Sequence, residues 1–500
     1  MPESPKTILL FVEQPVVADA WQAVPVSSKL VVRGWAFAEE SPTRVEVLVD
    51  GAAASIVATG IAREDVMAAL GGREEALRTG FEAHLRSIDL APGKHLVEVR
   101  ATSDKGATKS ATLFVEVAAS TATPRKRRPS FRRGKNRALF IDAATPAPDQ
   151  DAGSNVALAH MKLLQSLGFD VTFVPETLLP AGAHTEQLQR MRIETIEQPE
   201  HPSLEAFLEA RGTEFAIAYV HRYTVGEIAI PLLRTYAPQA KVIFNNADLH
   251  YLRMQREAKV TRSRALAEAA KKVKARELAV IRSADCTLIC NSYELAILRK
   301  AAPKAKLKYL PWVIDAAAKL PKDFSRREGI LYLGGFGHRP NVDAVKHFVA
   351  EVMPLLRKLL PDVRLHVYGS KVTKEIEALG STDVIIEGHA PNLDKIFQRH
   401  RLSIAPLRFG AGFKGKLAES LARGVPAVAS SIAIEGTGLI AGKQVLVADK
   451  PREVAKAIAR AYEDEKLWRR LSESGWRYVK KRYSATRGKE LLRAALKAAG

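Results

Sequence analysis

The chain has 500 residues, 47% of them hydrophobic, and a formal net charge of +21 at pH 7. The length predicts about three domains, and the positive charge favours anionic partners such as nucleic acid or an acidic membrane leaflet. The sequence has no apolar run near the roughly 18 residues of a membrane span, and its start does not resemble a signal peptide. Its two cysteines, Cys286 and Cys290, predict buried thiols rather than a disulfide framework. We therefore expect a cytoplasmic protein.

Residues 1–118 are predicted to form an all-β domain. Short runs alternate apolar and polar residues, as strands with one buried face do, and turn signals such as Asp104-Lys105-Gly106 separate them. The pattern favours a small sandwich of immunoglobulin-like type. Trp21 and Trp35 are predicted to be core residues, with a sugar-stacking platform as the alternative. The predicted strands cover residues 28–35, 44–49, 81–85, 95–101 and 111–117.

Residues 119–136 are predicted to be a linker. The segment begins with Ser, Thr and Pro, continues with seven Lys or Arg residues, and contains no acidic residue. It is either a solvated tether or a contact for anionic lipid or phosphate, since basic residues near such a membrane each contribute about 1 kcal/mol.

Residues 137–312 are predicted to form a first α/β domain. Apolar strands alternate with helices, which indicates a parallel sheet. Ligands of such sheets bind beyond the carboxyl ends of the strands. Polar residues at these ends are therefore candidates for contact with a ligand: Asp149, Asp151, Ser154, His221, Arg222 and Arg253.

An acidic triplet, Asp149-Gln150-Asp151, follows the first strand of this domain. Similar triplets hold a divalent ion in metal-dependent glycosyltransferases of a different, single-Rossmann fold. We predict a mobile loop here and no metal site, with metal binding as the alternative.

The segment DLHYLR follows the strand predicted at residues 241–245. Asp248 and His250 therefore lie where a ligand of the sheet would bind. The alternative is that Asp248 caps the following helix and that His250 is structural. Residues 251–283 are predicted to form a long basic helix or a helix pair, with a solvated or membrane-facing surface.

Residues 313–484 are predicted to form a second α/β domain. Its first strand ends in GGFGHRPN. Because Gly334, Gly335 and Gly337 have no side chains, a phosphate could approach the backbone closely here. Asn341 follows this turn, and His389 follows a later strand where it could contact a base.

A second glycine turn leads into a helix in RFGAGFKGKLAESLARGVPAV. Glycines such as Gly410 and Gly412 admit a ligand close to the backbone, and the helix N-terminus offers free N–H groups to an anion. Lys416 adds a positive charge, and Glu419 lies on the same helix face. This pattern predicts a nucleotide-sugar site with diphosphate near Lys416 and ribose on Glu419. The alternative is an ordinary turn with a surface Lys–Glu pair.

Residues 419–427 resemble the donor-site helix of bacterial family-four glycosyltransferases, which have two Rossmann domains (the GT-B fold). These enzymes carry a Glu, seven residues, Glu motif that ends in E-A-x-A-x-G-x-P-V. The first glutamate falls here at Ala411, which is a departure. A subgroup with G-A-G-x-K-G-K in the loop is more similar to this chain, and the resemblance extends from about Asn136 to the C-terminus. The N-terminal domain weakly resembles sandwich modules of bacterial polysaccharide enzymes.

The same subgroup shares further elements with this chain. They are a P-N-x-D-A turn containing Asn341, a D-L-H-x-x-R element at Asp248, a P-x-P-D-x-D-x-G-S loop around Asp149, and an E-G element at Glu435. Many relatives place a catalytic-site histidine where this chain has Ala247, so the resemblance leaves Asp248 and His250 as our candidates for catalysis. The resemblance also implies that the first α/β domain is the acceptor side, so that its candidate residues and the loop around Asp149 would face the acceptor. It further implies a donor contact for Glu435, a retaining outcome, no essential metal or cofactor, and a last helix, 485–500, that crosses back to the acceptor-side domain.

The sequence as a whole predicts transfer of a sugar from a nucleotide-diphosphate donor to a glycan or lipid-linked acceptor, in cell-surface polysaccharide synthesis. Peripheral contact with the inner face of an anionic membrane is part of this prediction. Two alternatives are a nucleotide-sugar epimerase with two Rossmann domains and a basic nucleic-acid-binding protein. The latter is favoured only by charge, because the basic residues are not interleaved with aromatic ones.

Overall fold

The computed structural model describes most of the chain. Residues 119–135 of the predicted linker, and Trp21, Gln150 and Asp151, lie outside the described residues. The described residues are 8–14, 22–24, 29–38, 43–53, 57–86, 93–117, 136–149, 152–179, 181–197, 200–201, 203–320, 324–389 and 392–500.

The chain divides into two compact units. The first unit comprises residues 1–133, 141–145 and 172–212, and the second comprises residues 134–140, 146–171 and 213–500.

The N-terminal domain is a sandwich of two sheets. One sheet has the order β1-β3-β7-β6 and the other the order β2-β9-β8-β4-β5. All pairs are antiparallel except β2 with β9. One short helix, α1 (Glu64–Ala69), and a 3-10 turn (Glu74–Arg78) precede β7. The strands are β1 (Leu9–Gln14), β2 (Gln22–Val24), β3 (Lys29–Phe37), β4 (Thr43–Val49), β5 (Ala52–Ala53), β6 (Val57–Ile61), β7 (Gly80–Arg86), β8 (Gly93–Ser103) and β9 (Thr108–Val117).

Both sheets contribute to one hydrophobic core. Val32 of β3 is buried with Val47 of β4, Val97 of β8 and Leu113 of β9. The core prediction for Trp35 is wrong: alternation along β3 turns Val32 inward, whereas Trp35 is only partly buried and stacks on the exposed ring of Phe11 at a centroid distance of 6.1 Å. The immunoglobulin-like type of this sandwich stays a prediction.

The first α/β domain contains a seven-stranded sheet of order β12-β11-β10-β13-β14-β15-β16. The pairs β13–β14, β14–β15 and β15–β16 are parallel, as the alternating pattern predicts. Its strands are β10 (Arg137–Asp142), β11 (Asp170–Pro175), β12 (Glu194–Thr195), β13 (Ile217–His221), β14 (Lys241–Asn245), β15 (Cys286–Ile289) and β16 (Leu307–Tyr309). Its helices are α2 (Ala152–Ser166), α3 (Ala183–Arg190), α4 (Leu204–Arg211), α5 (Tyr223–Tyr236), α6 (His250–Thr261), α7 (Arg264–Ser283) and α8 (Ser292–Ala301).

The basic stretch at residues 251–283 is a helix pair. Helix α6 ends at Thr261, and the next residue, Arg262, has a left-handed φ of 55°. Helix α7 then begins with Ser263 as its N-cap, where the side chain accepts a hydrogen bond from the Leu266 N–H at 3.2 Å. Both cysteines are buried free thiols.

The second α/β domain contains a parallel six-stranded sheet of order β19-β18-β17-β20-β21-β22. A π-helical turn (Phe348–Val352) joins α9 to α10. The strands are β17 (Glu328–Leu333), β18 (Leu365–Tyr368), β19 (Val384–Gly388), β20 (His400–Ala405), β21 (Ala427–Ala429) and β22 (Leu446–Val447). The helices are α9 (Arg339–His347), α10 (Met353–Leu359), α11 (Lys374–Glu377), α12 (Leu393–Arg399), α13 (Gly415–Ala422), α14 (Ser431–Ile434), α15 (Pro451–Glu463), α16 (Glu465–Arg482) and α17 (Ala485–Ala499).

The last helix packs on α2. Gly488 of α17 lies against Leu163, so that a Cβ on this glycine would meet Leu163 Cδ1 at 3.1 Å. Two Rossmann-like domains preceded by a β-sandwich are therefore present, and the predicted fold class is confirmed. No helix among the described residues combines the length and apolarity needed to cross a membrane.

Candidate active site

The glycine turn after β20 has the backbone that its sequence predicts. Gly410 has a φ of 155° and Gly412 a φ of 70°, conformations that favour glycine. The chain then enters α13 at Gly415, and a Cβ at this position would run into the ring of Trp312. Helix α13 ends before Gly424, whose φ of 65° is typical of a residue just after a helix.

Lys416 lies where the two glycine turns of the domain meet. Its Nζ donates to Asn341 Oδ1 at 2.6 Å and to the Tyr332 hydroxyl at 3.1 Å. The ammonium also lies 4.6 Å from the centre of the Tyr332 ring. A Cβ on Gly334 would lie only 2.8 Å from Lys416 Nζ, so a side chain at this position would displace the ammonium. The structure thus brings together Gly334, Asn341 and Lys416, three residues that the sequence singled out separately.

The surroundings of Lys416 disfavour its charge when no anion is bound. Burial, and then the charge of Lys414, lower the pKa of Lys416 to about 7. Its partners, an amide oxygen and a phenol, are neutral. An arriving diphosphate would supply the missing negative charge, which makes this lysine suited to binding an anion.

Glu419 pairs with Arg423 one turn further along α13, rather than with Lys416. Burial raises the pKa of the Glu419 carboxyl, and Arg423 opposes that shift. Arg423 also donates to Asp394 Oδ1 at 2.6 Å. The surface Lys–Glu pair of the alternative interpretation is therefore not what the structure shows, and the ribose contact of Glu419 stays a prediction.

The remaining donor-side candidates have different surroundings. His389 is exposed, and the carbonyl oxygen of Gly335 accepts a hydrogen bond from Asn341 Nδ2 at 2.7 Å. The Cβ position of Gly337 faces the Lys371 side chain. Glu435 forms an ion pair with Arg256 at 2.8 Å, so its carboxylate already has a cationic partner. Donor contacts of these residues stay predictions.

The alternative interpretation, in which Asp248 caps the following helix, is wrong. The N-cap of α6 is Leu249, and the cap is supplied by Glu277 of α7, whose fully buried carboxylate accepts from the backbone N–H groups of His250 and Tyr251 at 2.9 Å each. Asp248 instead accepts from Arg253 Nε at 3.1 Å. No local sequence pattern points to Glu277, because this cap comes from 27 residues along the chain.

Asp248 and His250 are close together beyond the end of β14. His250 Nδ1 lies 3.1 Å from Asp248 Oδ1. Ala247 precedes them with a left-handed φ of 58°, which makes the turn tight. Gly412 of the second α/β domain packs against this turn, since a Cβ there would lie 2.6 Å from Asp248 Cβ. The structure therefore brings the acceptor-side candidates to the glycine turn that contains Gly412.

His221 ends β13 next to this turn, and Arg222 follows it before α5. The Arg222 N–H donates to the carbonyl oxygen of Asn245 at 2.9 Å, and Arg222 itself has a φ of 75°. Beneath them lies His160, which is buried in α2 with its Nδ1 2.6 Å from the Tyr219 hydroxyl. Burial, and then His221, lower the pKa of His160 to about 3, so this imidazole is neutral. Sequence reasoning missed His160 because it occupies an apolar helix face.

The loop with the acidic triplet is anchored by its serine. Ser154 is buried, and its Oγ accepts from the Ala147 N–H at 2.9 Å, which is a structural contact. Asp149 is exposed, and Asp151 lies outside the described residues. Within the described part of the chain, no three His, Cys, Asp or Glu side chains group as metal ligands.

Comparison with known proteins bears on the second α/β domain first. Residues 327–464 match the family model of glycosyl transferases, group 1. This match supports a transferase. A protein of Klebsiella pneumoniae, described as an uncharacterized 44.6 kDa protein in the cps region, is 24% identical over 165 residues. That alignment spans 31% of this chain and 42% of the relative, so this chain covers less than half the length of the relative it matches.

Solved structures resemble both α/β domains. Sucrose-phosphate synthase from Thermosynechococcus elongatus has a TM-score of 0.57 at 17% identity, covering 73% of this chain and 100% of that one. Anabaena HepE, solved in complex with UDP and glucose, has a TM-score of 0.56 at 13% identity, covering 72% and 99%. These likenesses show the GT-B fold.

Proposed function

We propose that the protein transfers a sugar from a nucleotide-diphosphate donor to a glycan or lipid-linked acceptor. The main observation in support of this proposal is the position of Lys416. It lies at the start of α13, between two glycine turns whose backbone is not covered by side chains. The ammonium and the helix N-terminus would stabilise the charge that develops on a leaving diphosphate. The group 1 family match over residues 327–464 supports this assignment.

Finer points of the proposal rest on narrower grounds. Synthesis of a cell-surface polysaccharide is suggested by the relative from a cps region, and a UDP-sugar donor by the complex of HepE with UDP-glucose. A retaining outcome follows the sequence resemblance alone. In this proposal Asp248 and His250 lie on the acceptor side, where a carboxylate oxygen of Asp248 is 3.1 Å from His250 Nδ1.

A screen of nucleotide sugars by thermal shift tests the proposal directly. We expect at least one nucleoside diphosphate, and the nucleotide sugar derived from it, to raise the melting temperature of the protein. Product analysis with the donor alone then separates the alternatives, because an epimerase converts the donor without an acceptor and a transferase does not. An unchanged melting temperature with every nucleoside diphosphate would contradict the proposal.

The proposed reaction requires no metal. Lys416, the glycine-turn amides and the helix N-terminus would together neutralise the diphosphate, so we expect transfer to continue in excess chelator. The measurement is the rate with and without the chelator, followed by added Mn²⁺ or Mg²⁺. Loss of activity that either ion restores would move the assignment to a metal site at Asp149 and Asp151.

Contact with an anionic membrane is a further part of the proposal. Helices α6 and α7 carry many basic side chains, and residues 125–135 add a basic tract. We expect salt-sensitive co-sedimentation with phosphatidylserine vesicles, because screening acts beyond about 10 Å at 0.1 M salt. Duplex and single-stranded nucleic acid at matched salt are the comparison, and tight binding to them without vesicle binding would favour the nucleic-acid alternative.

A further inference from the structure

Three side chains of the first α/β domain reach the donor loop, which we define as Gly410–Gly412, and the following turn at Glu435-Gly436. Arg256 of α6 donates to the Gly410 carbonyl oxygen at 2.7 Å and forms an ion pair with Glu435 at 2.8 Å. Asn291 and Glu294, at the start of α8, make the other contacts. All three come from one domain, and both segments they bind belong to the other.

Asn291 uses both ends of its amide. Its Oδ1 accepts from the N–H groups of Tyr293 and Glu294, at 2.9 Å and 3.2 Å, and so caps α8. Its Nδ2 donates to the carbonyl oxygens of Gly412 and Glu435, each at 2.9 Å. The side chain is only 1% exposed. The helix cap fixes the amide, and the fixed amide holds two backbone carbonyls of the other domain.

Glu294 binds the donor loop as an acceptor, whereas Asn291 binds it as a donor. Its Oε1 accepts a hydrogen bond from the Gly412 N–H. Burial, and then the charge of Asp248, raise the pKa of this carboxyl to about 7, while the hydrogen bond from Gly412 and the charge of Lys414 oppose the shift. Gly412 therefore has both its N–H and its C=O bonded to α8, which fixes the orientation of the peptide groups on either side.

Lys414, which belongs to the same domain as the donor loop, binds the loop carbonyls as well. Its buried Nζ donates to the carbonyl oxygens of Ala411 and Gly412, at 3.0 Å and 2.8 Å. Every carbonyl of the donor loop thus has a donor. Gly436 has a φ of 70°, and a Cβ there would collide with the Asn291 amide, so this contact requires glycine.

We propose that Asn291, Glu294 and Arg256 are positioning residues, through which the first α/β domain holds the donor loop and the Glu435-Gly436 turn in the conformation that binds the diphosphate. The inference rests on the proposed function, because it assigns these contacts to the same donor site. It adds that the donor site is incomplete without the first α/β domain. A loop held from the other domain is ordered before the donor arrives, which reduces the ordering cost of binding.

The test replaces Asn291 by aspartate in the full chain. Asn291→Asp keeps an oxygen for the α8 cap but turns the donor that faces two carbonyls into an acceptor. Asn392→Asp is the matched control: Asn392 caps α12 by accepting from the Lys395 N–H at 3.1 Å and is exposed. The two measurements are amide hydrogen exchange over residues 408–414 and 434–437, and calorimetric titration with UDP and GDP.

In Asn291→Asp we expect exchange in both segments to become about tenfold faster or more, since local opening is no longer opposed. We expect about tenfold weaker binding of the diphosphate that the wild-type protein binds, with exchange elsewhere unchanged. Arg256→Lys gives a second reading if Asn291→Asp does not fold, because a single ammonium cannot replace the guanidinium contacts with both segments.

The outcomes separate the inference from the function on which it rests. Faster exchange in both segments supports the inference even if neither UDP nor GDP binds the wild-type protein, which would count against the proposed function. Unchanged exchange in both segments in a folded variant overturns the inference, even where the wild-type protein binds UDP or GDP. The Asn392→Asp control should alter neither exchange in these segments nor binding.

Discussion

Lys416→Ala should lower kcat/KM by about 100- to 1,000-fold, the usual result of removing one charge-stabilising donor from an active site. The variant loses the ammonium that lies between the two glycine turns, together with its hydrogen bonds to Asn341 and Tyr332. It keeps α13, because alanine is the residue most favourable to a helix. The measurement is steady-state transfer from the donor that the nucleotide-sugar screen identifies.

Lys450→Ala is the matched control for this experiment. Its side chain is 82% exposed before α15 and pairs only loosely with Glu453, at 3.7 Å, so it removes the same charge from the protein without touching the site. It should leave kcat/KM within about twofold, as for most exposed substitutions. Equal activity of Lys416→Ala and Lys450→Ala would remove Lys416 from the site.

The lowered pKa of Lys416 gives donor binding a pH signature. Ligand-free Lys416 loses its proton near pH 7, whereas a bound diphosphate favours the ammonium and raises that pKa. Binding above pH 7 therefore takes up a proton, and affinity should fall by up to about tenfold per pH unit between pH 7 and 9. Lys416→Ala should show no such slope. Calorimetry in buffers of different ionisation enthalpy measures the proton uptake directly.

Gly412→Ala should be the most damaging of the glycine substitutions in the donor loop. A Cβ at this position would lie 2.6 Å from Asp248 Cβ and 3.3 Å from the Ala247 carbonyl oxygen. Neither can move without shifting the turn that carries Asp248. A misplacement of about 1 Å costs up to about 100-fold in rate, and overpacking costs about 1–3 kcal/mol in stability.

Comparison with Gly442→Ala separates the effect of the clash with Asp248 from the effect of backbone strain. Gly442 has a φ of 75°, close to the 70° of Gly412, yet a Cβ there would meet no atom within 4 Å. Both variants lose about 1–2 kcal/mol to a left-handed alanine, so the difference between their melting temperatures and rates reports the contact with Asp248. Indistinguishable variants would show that the two domains are not in contact at this point in solution.

Most of the fold follows from local sequence patterns. The apolar runs at 365–368 and 427–429 predict strands at their observed bounds, because a buried parallel strand is a short apolar run between turn residues. The glycine turns and Lys416 are predictable for a similar reason, since backbone freedom and charge are visible one residue at a time.

Contacts distant in sequence cannot be predicted in this way. In the sequence, Glu277 is only a charged residue in a basic helix, and Asn291 is only a polar residue after a strand. Their roles are not visible there because their partners lie in other elements. Arg256 belongs by its sequence to a solvated face, yet it contacts the donor loop 154 residues away. The residue type of Trp35 predicts a core position, whereas the pleat of β3 decides its face.

The carboxylate of Glu277 also bears on how the chain is made. Helix α6 has no side-chain cap of its own, and its first turn depends on an acceptor that follows 27 residues later, in α7. A ribosome adds about 5–20 residues per second, so α6 leaves the exit tunnel about 1–5 s before its cap is available. Until then its twelve residues are at the lower limit of length for an isolated helix in water. The two basic helices therefore become stable together, as a hairpin, and nascent chains stalled before Glu277 should leave the Asp248 turn unformed.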